Sequence, residues 1–378
     1  MAPRDLVFTT TLALLLLGVV VVQSAGMTVT EPGTAWAVLS DRTLLLAAAA
    51  VGALCLGRLV PATLLTSRAT AIIPFAVAAS LLLLVLIPGI GREVNGAKRW
   101  IDIGPLGFQP SEVAKWASIL LVAWYATRSR VHLGRLVSGL GPVLLLIGLV
   151  CGLTMLEDLG TALLIAAVAA LLLLAAGARL WHLAAVGIPA AAAVVVAIRA
   201  EGYRVTRLQA FLDPWADPAG SGYHIIQSLK AISGGGIGGR GLGNGIQKFG
   251  YLPEDTTDFI FSVITEELGL LGCGVVVALF LTLVWAGWRI IHRQQHPQCQ
   301  LIALGIMATI TLQSLINLCV VTGLAPTKGI ALPLVSSGGT GWILTAFMLG
   351  LLCRLDRTPQ QARGPTPAEV PTLRNAAA

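Results

Sequence analysis

Residues 249–288 read FGYLPEDTTDFIFSVITEELGLLGCGVVVALFLTLVWAGW. Glu254, Asp255 and Asp258 stand at the lip of an apolar run over 258–288, and Glu266 and Glu267 lie deeper in it. The run exceeds the ~20 residues that cross a hydrocarbon core, so it is tilted or begins outside that core. Carboxylates near or inside a membrane are costly and need a partner or a chemical task. The segment therefore points to a membrane fold and to an active site at one membrane face.

Composition supports the membrane. Hydrophobic residues make up 56% of the 378 and charged residues 11%, where soluble domains carry about 25% charged. Ten apolar runs recur, near 6–25, 43–60, 70–90, 111–127, 137–155, 160–177, 181–199, 258–288, 300–323 and 338–354. The predicted fold class is all-α, a polytopic membrane protein of about ten transmembrane helices. The first run, with Arg4 before it and Ser24-Ala25-Gly26 after it, has the outline of a signal peptide. Nine further spans favour an uncleaved first helix. Residues 1–357 read as a single transmembrane domain. The tail at 358–378, with Pro359, Pro365, Pro367 and Pro371, reads as a disordered cytoplasmic segment.

Ten spans place both termini on one side. Thirteen basic residues fall on that side, among them Arg4, Arg58, Arg68, Arg128, Arg135, Arg289 and Arg354. The opposite short loops hold Arg42, Arg92, Lys98, Arg99 and Lys328. Positive charge concentrates on the cytoplasmic side, so both termini are predicted there, with a large external loop at about 200–257 between the seventh and eighth helices. The net charge of +7 is thus a topology signal. Basic residues do not alternate with aromatics, which argues against nucleic acid as a partner. The six cysteines lie in or beside spans without a CxxC pair and read as packing residues. No HExxH motif offers a metal site.

Polar residues collect in three outward segments. In 91–115, Pro110-Ser111-Glu112 reads as a helix start, and Glu112 and Lys115 share one face. Two compatible readings are a structural ion pair and a charged cavity wall. In the loop from about 199 to 257, Arg204 and Arg207 are one turn apart, and Tyr223–Ile232 reads as a surface amphipathic helix. Its glycine run contains a formal GxGxxG over 236–241. No strand or βαβ unit surrounds it, so a dinucleotide fold is rejected; a tight backbone crossing that admits a ligand fits better. In 323–341, GLAPTKGIALPLVSSGGTG suggests either an ordinary loop or a broken stretch lining a cavity. The short turn LEDLGT at 156–161 adds Asp158, a candidate helix cap.

These segments, in this order, resemble the SEDS family (shape, elongation, division and sporulation) of bacterial wall-building proteins. The strongest matches are RWIDIGPLGFQPSEVAK at 99–115, RLQAFLDPWADPAGSGYHIIQS at 207–228 and YLPEDTTDFIFSVITEELGLLG at 251–272. DLGTA at 158–162 and GYHIIQS at 222–228 look more like RodA, the elongation member, than FtsW, the division member. The chain departs from the family's usual QPDLG at 156–160 and from LPFxSYGG at 332–339, where it has LPLVSSGG. The resemblance implies a peptidoglycan glycosyltransferase of the bacterial cytoplasmic membrane. Such an enzyme polymerises lipid II, a disaccharide-pentapeptide on undecaprenyl pyrophosphate, beside a class B penicillin-binding protein. The family's essential aspartate maps onto Asp258; Asp255 has no counterpart.

The chemistry suits these residues. Inverting transfer needs one carboxylate to take a proton from the acceptor hydroxyl, a contribution of about 10²–10⁴-fold. It also needs positive charge for the leaving pyrophosphate. Asp258 is the candidate base; its rival role is a helix N-terminal acid favouring the dipole. Candidate substrate-binding residues are Arg99, Trp100, Lys115, Arg204, Arg207 and Lys248, arginine suiting phosphate through its planar fork. Glu112, Asp158 and Glu266 are candidate cavity residues. A divalent metal held by the available carboxylates is an open alternative that would replace part of the basic role. Two other classes compete: a lipid II flippase and a non-enzymatic scaffold. For the topology, cysteines introduced at Ser221 and Thr358 are expected to label from opposite sides of the membrane. Labelling of both from outside intact cells would refute ten spans.

Overall fold

The computed structural model describes residues 1–26, 41–94, 97–103, 106–129, 131–156, 158–200, 202–327 and 329–356. The tail expected to be disordered lies outside the described residues. In chain order the elements are α1 (Pro3–Ala25), α2 (Asp41–Leu59), α3 (Ala62–Leu65), α4 (Arg68–Val85), β1 (Gly91–Val94), β2 (Ala97–Ile103), β3 (Leu106–Phe108), α5 (Pro110–Ala126), α6 (Gly141–Met155), α7 (Leu159–Ala175), α8 (Leu180–Ala200), α9 (Gly202–Leu212), α10 (Tyr223–Gly235), α11 (Ile260–Arg293), α12 (Pro297–Val321) and α13 (Gly339–Leu355). Among the described residues, six helical stretches are long and apolar enough to cross a membrane by length and composition, and α7, α8 and α13 are shorter apolar helices.

The helices begin where the sequence supplies caps. Proline occupies the first turn of α1, α5, α6 and α12, where its missing amide costs nothing. Ser67 caps α4 by accepting from the Thr70 amide. Small residues then let helices touch: a Cβ on Gly57 would fall 2.3 Å from the Phe347 carbonyl, and one on Gly350 would fall 2.2 Å from that of Leu54. This close crossing joins α2 to α13 by backbone approach, as apolar helices do where no water drives them together. Gly18 of α1 likewise admits the backbone of Leu334 and Val335.

Two findings differ from the sequence reading. The all-α expectation misses a three-stranded antiparallel sheet of order β1-β2-β3, with Arg92 opposite Trp100 and Asp102 opposite Gly107. Its strands carry β-branched and aromatic residues (Trp100, Ile101, Phe108) that suit a pleated surface.

The second difference is in α11. It is two helices meeting at Gly269, whose φ of 66° and ψ of −161° are not helical. A break in apolar surroundings leaves carbonyls and amides without partners, at several kcal/mol each. The glycine-rich loop supplies them. The amides of Arg240 and Gly241 donate to the carbonyls of Glu266 and Glu267 at 3.0 and 2.9 Å, and those of Leu270 and Leu271 donate to Gly236 and Ile237 at 3.0 and 3.3 Å. The run expected to admit a ligand therefore admits another backbone. Gly239, at φ 76°, has no room for a side chain, since a Cβ would fall 2.1 Å from the Glu267 carbonyl. Gly239→Ala is expected to lower the thermal stability of the purified protein by about 1–3 kcal/mol from backbone strain alone, with the clash adding to it. Gly238→Ala, facing open space, should melt near the wild type.

Candidate active site

A cavity of about 580 Å³ opens between the small sheet, the turn before α11 and the irregular segment joining α12 to α13. Such a volume suits a sizeable ligand group. Asp258 lies on its wall, with Arg99 and Trp100 of β2, Glu112 of α5, Asp158 before α7, and Glu254. Residues of the 329–334 and 336–338 stretches form a further wall, which agrees with a broken stretch lining a cavity. Leu334 there has a φ of 65°, a left-handed conformation that leucine rarely adopts.

A polar scaffold fixes these walls. Asn317 of α12 donates from Nδ2 to the carbonyls of Asp258 (2.9 Å) and Ile330 (2.8 Å). One side chain thus pins the turn carrying Asp258 to the opposite wall. One turn earlier, Gln313 donates to the Ala331 carbonyl at 2.9 Å and accepts from Lys115 Nζ at 3.0 Å. Lys115 Nζ also donates to both carboxylate oxygens of Glu112, each at 2.8 Å. The Ser337 amide donates to the Thr256 carbonyl at 2.8 Å. Gly329 leaves space at the centre: a Cβ there would stand 3.2 Å from Asp258 Oδ2 and 3.5 Å from Arg99 Nη1.

Burial pushes the Asp258 carboxyl up to about 7; Glu254 and Asp158 add to the rise, and Arg99 and Arg207 oppose it. The side chain is half-buried, surrounded by protein yet facing the cavity, so desolvation and access coexist. Asp255 does not line the cavity; burial raises its carboxyl to about 6.

Other expected site residues lie elsewhere. Lys115 is buried beneath the cavity wall and fully engaged by Glu112 and Gln313, so it serves the wall rather than facing the space. Lys248 is buried away from the cavity. It pairs with Glu267 at 2.8 Å and donates to the Ser24 carbonyl at 2.9 Å. Glu266 accepts the amides of Ile246 (2.9 Å) and Gln247 (3.1 Å), bracing the glycine loop rather than the cavity. Both oxygens of Asp158 are held by Thr161, through its amide at 2.9 Å and its hydroxyl at 2.6 Å, so Asp158 caps α7 while lining the cavity. Arg207 of α9 donates to the Thr327 carbonyl at 3.4 Å and acts on Asp258 through charge. Arg204 lies on the same helix, its side chain outside the described residues.

The family described as "Cell cycle protein", whose members are FtsW, RodA and SpoVE, matches residues 4–361. The chain belongs to the FtsW/RodA/SpoVE family. The probable peptidoglycan glycosyltransferase FtsW of Alkalilimnicola ehrlichii is 45% identical over 299 residues, covering 78% of this chain and 75% of that one. The protein of the same name from Geobacter sp. strain M18 is 41% identical over 273 residues, covering 72% and 74%. Among solved structures, one of a peptidoglycan synthase complex that coordinates polymerization and crosslinking has a TM-score of 0.75 at 29% identity, covering 94% of this chain and 98% of that one. The Thermus thermophilus rod shape determining protein RodA has a TM-score of 0.67 at 26% identity, covering 94% and 97%. Both branch names thus occur among the matches, whereas the sequence motifs pointed to RodA.

Within the FtsW/RodA/SpoVE fold, the cavity also recruits residues that the sequence reading passed over. Arg42, Arg92, Asp102 and Gln313 line it, and Asn317 pins it; Glu254, marked by the sequence at the lip of the apolar run, lines it too. Gln313 and Asn317 are four apart in an apolar helix, so they share a face; polar side chains there mark interhelical bonds. Arg92 pairs with Asp102 at 3.6 Å. Among the described residues, no three His, Cys, Asp or Glu side chains are grouped as a metal would require. Removing one member of a buried pair strands the other charge, at about 3–5 kcal/mol. Glu112→Ala is expected to cut folded yield and melting temperature well below those of Arg128→Ala, whose side chain lies over Trp124 and is exposed. Equal behaviour of the two variants would refute the buried pair.

Proposed function

We propose that this protein is a peptidoglycan glycosyltransferase that polymerises lipid II on the outer face of the bacterial cytoplasmic membrane, with Asp258 as general base. The observation that carries this reading is a half-buried carboxyl raised to about 7 on the wall of a cavity that also presents Arg42, Arg92 and Arg99. A base with a pKa near the working pH combines an ionised fraction with a strong pull on the proton. The acceptor hydroxyl gives its proton to Asp258 as its oxygen bonds to the anomeric carbon of the donor. The bond from that carbon to the pyrophosphate oxygen breaks, and its electron pair leaves with the pyrophosphate. A single displacement inverts the anomeric centre. The cavity arginines offer bidentate bonds to the departing charge, a role that Lys115 and Lys248 cannot take while bound to Glu112 and Glu267. Arg207 adds charge from α9, and Trp100 offers a face on which a sugar can stack.

The positive-inside pattern supports ten spans, cytoplasmic termini and an external cavity. The family resemblance supports a class B penicillin-binding protein as partner, which would crosslink the new strands. DLGTA and GYHIIQS support a role in elongation, whereas the relatives' name supports division. Depletion separates these, because an elongation enzyme leaves rounded cells and a division enzyme leaves filaments. The flippase reading draws on charged residues within spans and on two broken stretches, the 323–341 segment and α11 at Gly269, since broken helices build transporter sites. Glycan made by the purified protein in detergent, where no membrane gradient exists, decides for the polymerase.

Asp258→Asn is expected to abolish polymerisation while leaving the melting temperature near normal, and Asp255→Asn should retain most activity. In the wild type, Asp258 must be ionised to act, so the rate should rise with pH through about 7 and fall away below it. A wild-type rate from Asp258→Asn would place the base elsewhere.

A further inference from the structure

The turn before α11 holds an unexpected residue. Glu254 has a φ of 57°, a left-handed conformation that glycine adopts freely and other residues resist. Its carbonyl accepts the amides of Thr257 and Phe259, both at 3.2 Å, bracketing Asp258 on either side. Its carboxylate accepts the Thr257 hydroxyl at 2.8 Å and lines the same cavity as Asp258. A glycine would satisfy the backbone at this position without strain. A carboxylate kept there at a conformational cost, against the turn that carries the acid, indicates a task for the side chain itself.

We infer that Glu254 is a positioning residue for Asp258: its backbone locks the turn, and its carboxylate sets the basicity of Asp258 through charge. The inference rests on the reading of Asp258 as the base. Glu254 is well placed for this, because after burial it is the foremost contributor to the raised Asp258 carboxyl. The other charges facing Asp258 are Arg99 from β2 and Arg207 from α9, which oppose the rise, and Asp158 at the start of α7, which adds to it. Glu112 of α5, paired with Lys115, lines the same cavity, as do Arg42 of α2 and the Arg92–Asp102 pair of β1 and β2. His224 of α10 stacks on Phe259 at 6.0 Å. Burial and Arg207 hold that imidazole below its ordinary value, with Glu254 opposing. Asp255 also feels Glu254.

The sign of the effect follows from charge. Removing a neighbouring negative charge eases ionisation of Asp258, so the base form persists to lower pH. The test is the pH dependence of kcat for lipid II polymerisation by the purified full-length protein. Glu254→Gln keeps an acceptor for Thr257 and removes the charge. Its acidic limb should move down by about one pH unit, the low end of what a close charge imposes. Glu254→Gly also removes the charge and suits the left-handed backbone, so it guards against a folding failure and should shift the limb in the same direction. Glu254→Asp keeps the charge and shortens the reach to Thr257, so it should leave the limb in place and lower kcat. An acidic limb unmoved in both neutral variants, beside an active wild type, overturns the inference. An inactive wild type would instead refute the glycosyltransferase reading itself.

Discussion

A backbone polar group taken out of water must find a partner inside the protein, and the architecture around Gly269 follows from that constraint. The break in α11 exposes two carbonyls and two amides, and residues 236–241 answer each of them. Only glycine permits the two chains to meet so closely, since a Cβ on Gly239 would collide with the Glu267 carbonyl. Glu266 and Glu267 then hold the loop from the other side, through the amides of Ile246 and Gln247 and the ammonium of Lys248. Lys248 reaches the end of α1 through Ser24. The long polar loop is thereby tied to the helical body at a buried point, and the chain that follows it runs directly into the turn bearing Asp258.

The same constraint builds the cavity. The irregular segment after α12 lacks a helix's internal bonds, so side chains from α12 take its carbonyls: Asn317 for Ile330 and Gln313 for Ala331. Because Asn317 also takes the Asp258 carbonyl, the candidate base is held by a bond that simultaneously shapes the opposite wall. Preorganisation of this kind lets a site stabilise developing charge without moving at the moment of reaction. It also explains a division of labour among the cations. Lys115 and Lys248 are committed to carboxylates, while Arg92 and Arg99 of the small sheet remain at the cavity surface, where a planar fork suits phosphate.

The carboxyls illustrate how environment divides chemically similar groups. Asp158 has both oxygens occupied by Thr161 and caps a helix. Glu112 is neutralised by Lys115, and Glu267 by Lys248. Asp258 instead meets desolvation and the charge of Glu254, offset in part by Arg99 and Arg207. Four acids therefore differ in pairing and in ease of ionisation according to what faces them.

The sequence by itself determined the membrane character, the helices over the apolar runs and the polar segments between them, and it singled out Asp258 as the candidate base. Apolar run length and charge asymmetry are local properties of the chain, and the motif at 251–272 carries its own resemblance. It also marked the Glu112–Lys115 pair and the Asp158 cap, because both act within one helical turn. Other features depended on residues far apart in sequence. Lys248 read as a phosphate ligand because its partner Glu267 and its depth are invisible along the chain, and Lys115 because its burial and its bond to Gln313 of a distant helix are equally so. The glycine run read as a ligand loop because its true partner, the break at Gly269, looks from sequence like a continuous apolar helix. Arg42, Arg92 and Asn317 became site residues only when folding brought α2, β1, α12 and the 329–338 segment around Asp258. Local periodicity could place each of them on an element; only tertiary packing decided which elements face the same space.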